Sequence, residues 1–161
     1  KPDGLMLAAL FGSETLHELR LSLIEAESEI AGGAALRVAP FASLQDVAGL
    51  LQRAGFALPA ADRDVVVVRY AEPMRLLVDL RAMGETAALS ERSPRNLSRR
   101  ILARAFEVYR QRFADPDGRV RASFDIVWLS GWAPHESQQK PAARGSGQVS
   151  LADALKTTRR E

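Results

Sequence analysis

Few side chains here have types and spacings that could do chemistry. Arg81 and Glu85 stand four apart in "LVDLRAMGETAAL", residues 77–89, where an amphipathic helix should continue its apolar stripe. Met74, Leu77 and Val78 keep i, i+3, i+4 spacing, and the next positions on that face are Arg81 and Glu85. Two such charges either pair on the surface, worth roughly 0.2–0.5 kcal/mol, or border the core face and reach a polar acceptor. His17 lies next to Glu14 and Glu18 at a helix start, either as an exposed helix histidine or as part of a pocket. His135, Glu136 and Ser137 follow "SGWAP", where polar loop residues could bind a substrate or simply make a turn. Trp132, ahead of Pro134, could cover a pocket or pack under that loop.

Composition narrows what these residues can belong to. The chain has 161 residues, 47% hydrophobic and 26% charged, which suits one ordinary domain with its own core. Its longest apolar run, "GLMLAALFG", is strand-sized and far short of the roughly 18–20 residues that span a bilayer. The net charge of +2 tilts basic, yet opposite charges are interleaved except near "RSPRNLSRR" and the terminal "TTRR", so no nucleic-acid surface is expected. Without cysteine there is no disulfide framework, thiolate nucleophile or cysteine metal site, which fits a reducing compartment and a cytoplasmic location. Two histidines make a histidine-rich metal centre improbable. The chain opens "KPDGLMLAAL", a turn feeding directly into a strand, and reads as an excised piece of a longer protein.

The positioning elements alternate. Residues 5–11 form a continuous apolar run, the pattern of a strand buried on both faces in a parallel sheet. Thr15 and Glu18 have capping-box spacing, and Leu16, Leu19, Leu23, Ala26 and Ile30 keep helical period until Gly32 and Gly33, leaving an acidic solvated face opposite. Ser43 with Asp46 announces a second helix through Val47, Leu50, Leu51 and Ala54, stopped by Gly55 in the left-handed position. A loop follows, then a β-branched strand at 65–70. Pro73 opens the third helix and Gly84 ends it.

The longest helix is expected over 94–113, with Leu97, Ile101, Ala105, Val108 and Tyr109 on one face. Its arginines Arg99, Arg100, Arg104, Arg110 and Arg112 form a solvated face, or alternatively receive an acidic protein partner. "ADPDGR" is a turn, and "ASFDIVWLSGW" a strand with Phe124, Ile126 and Trp128 alternating and Trp128 in the core. The tail is mostly loop, with a short helix near 150–155 and a mobile end at 157–161. Three strands and about four helices give an α/β pattern, and so small a sheet leaves an exposed edge that something must pair. Self-association through that edge is one way to cover it.

"KPDGL" before an apolar strand and a helix containing "ETLHELR" resembles the fifth strand of class I S-adenosylmethionine-dependent methyltransferases. "LLVDLRAMGETAAL", "VYRQRF" and "DGRVRASFDIVWLSGWAPHESQQKPAARGSG" resemble, within that class, the group of the mitochondrial complex I assembly factor 5 and its bacterial relatives. The malonyl-acyl-carrier-protein methyltransferases are more distantly similar. The resemblance covers nearly the whole chain and implies the C-terminal portion of a Rossmann-like sheet, about three strands with inserted helices, over residues 1–156. It implies S-adenosylmethionine as cofactor of the full-length protein but not of this chain alone. The glycine-rich turn and acidic strand end that would hold it are absent, and the sole G-x-G, Gly145 to Gly147, sits in a loop.

The second half of such enzymes supplies much of the acceptor pocket, where alignment and exclusion of water do most of the chemistry. Glu14, His17, Arg81, Glu85, Trp132, His135 and Ser137 are therefore the candidate acceptor-binding residues, for a small-molecule or protein acceptor. Methyl transfer is the first reading. Because the mitochondrial group is associated with arginine hydroxylation, a protein arginine hydroxylase or a non-catalytic respiratory-complex assembly module is the alternative. A small basic nucleic-acid binder, marked by steep salt dependence, is the third.

Overall fold

The protein is described here from a computed structural model covering residues 1–85, 97–139, 143–147, 149, 150 and 153. The elements run β1 (Leu5–Phe11), α1 (His17–Ala31), α2 (Leu44–Arg53), β2 (Ala57–Tyr70), α3 (Pro73–Ala82), α4 (Arg99–Phe113) and β3 (Val120–Trp132). This is the expected order of strand, helix, helix, strand, helix, helix, strand. The last strand inserts between the first two, giving the order β1-β3-β2. β3 pairs antiparallel with both neighbours, so β1 and β2 run parallel to each other without touching. A helix-bearing connection between two strands that point the same way is what α/β architecture requires.

Strand alternation divides the sheet into two faces. Val127 and Leu129 of β3 turn to one face, where Val47 and Leu51 of α2 bury them with Met6, Ala8 and Leu10. Val120, Ala122 and Phe124 turn to the other, against Leu19 and Leu23 of α1, Leu76 and Leu80 of α3 and Ile101, Ala105 and Tyr109 of α4. That second packing covers only one end of its face. Beyond it, among the described residues, Trp128 and its β1 neighbours Ala9 and Leu7 have no helix packed on them, while Phe11 packs at the margin of the covered part. Trp128 is 50% exposed and Leu7 72%, which corrects the expectation of a core tryptophan. It also corrects β1, which is paired antiparallel with burial alternating along it rather than buried on both faces in a parallel ladder.

Local chemistry explains where the elements begin. Ser43 and Asp46 form the full capping box of α2, as their spacing predicts. Thr15 and Glu18 do not cap α1, whose N-cap is Leu16 in a left-handed conformation without a side-chain hydrogen bond. They serve β3 instead. β1 stops at Phe11 while β3 still presents backbone groups at Ser123 and Asp125, and buried backbone groups need partners. The Thr15 hydroxyl donates to the Asp125 carbonyl and accepts the Asp125 N–H, both at 3.0 Å. The Glu18 carboxylate accepts the Ser123 N–H at 3.1 Å and its hydroxyl at 2.6 Å.

Other expectations are corrected in the same way. The acidic face of α1 is not simply solvated. Glu27 is buried and holds Arg37, while Glu25 and Glu29 pair with Arg112 and Arg104 of α4. Two of the α4 arginines therefore pair with α1 at the surface, Arg112 while still half exposed. β2 begins at Ala57, eight residues before the β-branched run, because β3 extends far enough to pair it. α4 starts at Arg99 behind the N-cap Ser98, so Leu97 lies ahead of the helix, and 94–96 lie outside the described residues. In α3 the buried stripe is Pro73, Leu76 and Leu80, with Met74 and Val78 about half exposed. Most of the expected tail helix at 150–155 and the end at 157–161 also lie outside the described residues. Among the described residues no helix is long and apolar enough to cross a membrane.

Candidate functional site

The predicted site residues fall in three places. Glu14 and His17 sit where β1 hands over to α1. The Glu14 N–H donates to the Asp125 carboxylate at 3.1 Å, and His17 Nδ1 lies 3.1 Å from the Glu14 carbonyl and 3.5 Å from Glu18. The His17 ring meets Phe113 of α4 edge-on at 6.2 Å. Trp132, His135 and Ser137 lie at the opposite end. Trp132 pairs with Leu5 while Ile126 pairs with Phe11, so the two ends are six residues, about 20 Å, apart along the strand. His135 Nδ1 and the Ser137 hydroxyl, 2.8 Å apart, are partners within a turn that Gln138 ties to Asp3. The structure does not bring this group to the others.

Arg81 and Glu85 form the third place. Gly84, at φ +81°, ends α3 in a Schellman arrangement, with the Gly84 N–H donating to the Arg81 carbonyl at 3.1 Å and the Glu85 N–H to the Leu80 carbonyl at 2.9 Å. Their backbones thus cap the helix. Their exposed side chains are not among the ion pairs of the described residues, and both line a cavity of about 390 Å³ between α1, the 37–41 segment and α3. Its walls are Leu16, Leu19, Leu23, Phe41, Leu77 and Leu80. Arg37, also in the lining, is held by Glu27.

Across Phe41 and Glu85 a second hollow of about 680 Å³ opens onto the uncovered sheet face, over Ala9, Phe11, Ile126 and Trp128. It adjoins two more, of about 440 and 450 Å³, through Phe11 and Ile126 on one side and Ala9 and Trp128 on the other. Together they make an apolar trough along the open face, reaching the carboxyl ends of β1 and β2. Ligands of open α/β sheets bind outside those ends.

Two features here were not anticipated from the sequence. Tyr70, the last residue of β2, lines the trough near Asp79 of α3, and burial, with the nearby carboxylate, holds its phenol above the ordinary tyrosine range. Asp79, Ala82 and Met83 share a helix face, a spacing hidden by the wrong choice of stripe. The second feature is Asp125, a charged residue inside "ASFDIVWL". It is buried, accepts from Arg63 at 2.7 Å, and its side chain fills the space a Cβ on Gly12 would need. That ion pair raises the Arg63 pKa. Among the described residues no three His, Cys, Asp or Glu side chains gather as a metal site.

These residues do not form a cofactor cradle. Gly12, the glycine at the carboxyl end of β1, is closed by Asp125, and Gly145 and Gly147 meet no neighbour that would shape a phosphate turn. What the described residues supply is a set of hollows beside the strand ends.

Sheet order, helix-bearing connections and a hollow at the strand ends define a partial Rossmann-like methyltransferase fold. Comparison with known proteins agrees. The chain is a homologue of the mitochondrial arginine-hydroxylase NDUFAF5, with 42% identity to the Danio rerio protein over 97% of the chain and 41% to the Homo sapiens protein over 95%. It is more distantly similar to the malonyl-[acyl-carrier protein] O-methyltransferase of Halorhodospira halophila, 36% identical over 93% of the chain. The alignments cover 48%, 44% and 48% of those proteins, so the chain spans about half the length of the curated relatives it matches. No family model matches it.

Proposed function

We propose that residues 1–156 are the acceptor-side part of an S-adenosylmethionine-dependent enzyme, with the cofactor held by the part of the relatives that this chain does not cover. The observation that carries this reading is the hollow at the carboxyl end of β1, walled by aromatic and aliphatic side chains with Glu85 at its margin and adjoining the cavity that Arg81 lines. Such a site aligns an acceptor and excludes water without a dedicated set of catalytic side chains. Methyl transfer to a small-molecule or protein acceptor is supported by the methyltransferase relatives. Hydroxylation of an arginine side chain is supported equally, by the name and higher identity of the NDUFAF5 relatives. A role in respiratory-complex assembly rests on the family resemblance. An aqueous reducing compartment such as the cytoplasm suits a chain without cysteine, although the relatives of highest quoted identity are named as mitochondrial.

Calorimetric titration of S-adenosylmethionine into the chain, and into the protein extended to the length of its relatives, tests this directly. Binding only to the longer protein is expected. Binding to neither would put the interaction-module reading first. In the longer protein Arg81→Ala should lower acceptor binding or turnover severalfold and leave the melting temperature within about 1–2 °C, because an exposed side chain without an ion pair contributes little to stability. Unchanged activity would remove Arg81 from the site.

A further inference from the structure

The hydrogen bonds of β3 define what the outer edge of β2 offers. Ser123 and Asp125 turn both backbone groups away from β2. The Leu16 and Gly12 N–H groups donate to their carbonyls at 2.7 Å, and their own N–H groups donate to Glu18 and Thr15. Backbone groups alternate in direction along an antiparallel strand, so Ala122, Phe124 and Ile126 turn theirs to β2, where they face Val68, Val66 and Asp64. The residues between, Arg63, Val65, Val67 and Arg69, therefore direct N–H and C=O groups outward, where the sheet has no further strand among the described residues. The start of that edge is guarded, because Pro59 has no N–H and the Asp62 carboxylate accepts the Arg63 N–H at 2.8 Å. From Val65 to Val68 no charge or proline guards it, and Val65, Val66 and Val67 are 46%, 42% and 49% exposed.

We propose that this open stretch of β2 pairs antiparallel with the same stretch of a second copy of the chain, about a two-fold axis at Val67, joining two three-stranded sheets into one. A strand that pairs with its own copy must set one residue opposite itself, so few registers are available. Centred on Val67, the two Val67 residues exchange two hydrogen bonds, and Val65 exchanges two more with Arg69 of the second copy on either side of the axis, roughly six in all. Val66 then faces Val68 and Asp64 faces Tyr70, so no like charges meet within the strand. The Arg69 guanidinium stays with Asp115 and Asp117 of its own chain. The neighbouring registers are poorer. Centres at Val65 and Val66 lose their outer hydrogen bonds to the Asp62 guard, and the latter also sets Arg63 opposite Arg69. A centre at Asp64 opposes two carboxylates, and one at Val68 needs Ala71, beyond the end of β2. The second copy is therefore an occupant whose length, apolar side chains and charges match the unguarded stretch. The interface is small, so the association is weak. It goes beyond the acceptor-side reading and does not depend on it.

Sedimentation velocity of the chain, and of the protein extended to the length of its relatives, should show a reversible monomer to dimer equilibrium with a Kd of about 1–100 µM. Amide hydrogen exchange should slow with rising concentration at Val65, Val67 and Arg69, whose N–H groups the β2 to β3 ladder does not use. Val67→Glu and Val67→Lys each set like charges opposite one another at the axis, with Cα atoms about 5.5 Å apart, and each alone should weaken dimerisation at least about tenfold. An equimolar mixture of the two should associate again, because an axis at Val67 sets Glu opposite Lys. Circular dichroism checks that both variants keep the fold, as expected for a half-exposed side chain on an edge strand. Either length of protein remaining monomeric up to about 1 mM overturns the proposal. So does a dimer that survives both substitutions, or a mixture that fails to restore it.

Discussion

Thr15→Val is the sharpest test of how the site is held. The substitution keeps the shape of the side chain and removes only the hydroxyl, which donates to the Asp125 carbonyl and accepts the Asp125 N–H, each at 3.0 Å. Thr15 is 1% exposed and Asp125 2%, so water cannot replace the lost partner. Leaving a buried polar group unsatisfied costs about 1–3 kcal/mol. The Asp125 carbonyl keeps a second donor, the Gly12 N–H at 2.7 Å, so the full penalty falls on the N–H and a smaller one on the carbonyl. The sum is about 2–4 kcal/mol, a large part of the roughly 5–15 kcal/mol stability of an ordinary domain. Thr15→Ser keeps both hydrogen bonds and loses one methyl, for about 1 kcal/mol. Urea unfolding of the three proteins should show midpoints in the order wild type, Ser, Val at an unchanged slope. If Val and Ser cost the same, the hydroxyl does not bridge β3, and the account of why α1 begins where it does fails.

Three further outcomes follow from the same contacts. Hydrogen bonds from Ser43 hold the Asp46 carboxyl below its ordinary range, so its contribution is present above the unfolded aspartate pKa and is lost as pH falls through the lowered folded value; the melting temperature of wild type should drop more steeply than that of Asp46→Asn below about pH 4. Gly84→Ala meets no neighbour but must adopt φ +81°, so it should cost about 1–2 kcal/mol in urea unfolding without altering the fold, and a stabilising result would refute the Schellman stop. Tyr109→Phe removes the hydroxyl that donates to the Arg121 carbonyl at 2.7 Å, and calorimetry should show a loss of about 1–2 kcal/mol.

Local signals in the chain were reliable where one residue type meets one backbone need. Ser43 with Asp46, Pro73, Gly55 and Gly84 mark helix ends through capping or positive φ, and each stands where its chemistry places it. Signals that depend on a neighbour far along the chain were not readable. Thr15 and Glu18 have perfect capping spacing, but β3, more than 100 residues later, offers partners inside the core that outweigh an exposed cap. The apolar run of β1 looked like a strand buried on both faces, because periodicity records hydrophobicity and not what covers it. Leu7 and Trp128 are apolar and uncovered, which no count within the chain could distinguish from core.

The placement of the candidate site residues was legible to the extent that they lie on one element. Arg81 and Glu85 were singled out as charges breaking an apolar stripe, and they do line a cavity, although the stripe itself was misplaced by one position on the helix. That error had a consequence. Starting from Met74 puts Asp79 on the solvent side of α3, whereas starting from Pro73, Leu76 and Leu80 turns Asp79, Ala82 and Met83 toward the sheet. Residues on different elements resist such reasoning entirely: His135 and Ser137 follow a strand end, and so does His17, but β3 runs opposite to β1, so the two ends are at opposite edges of the sheet. Strand direction, set by an antiparallel insertion that periodicity cannot see, decides which polar loops share a site. A parallel β3 would have gathered Trp132, His135 and Ser137 beside Glu14 and His17; the antiparallel one leaves the cavities to α3, the 37–41 segment and the open face of the sheet.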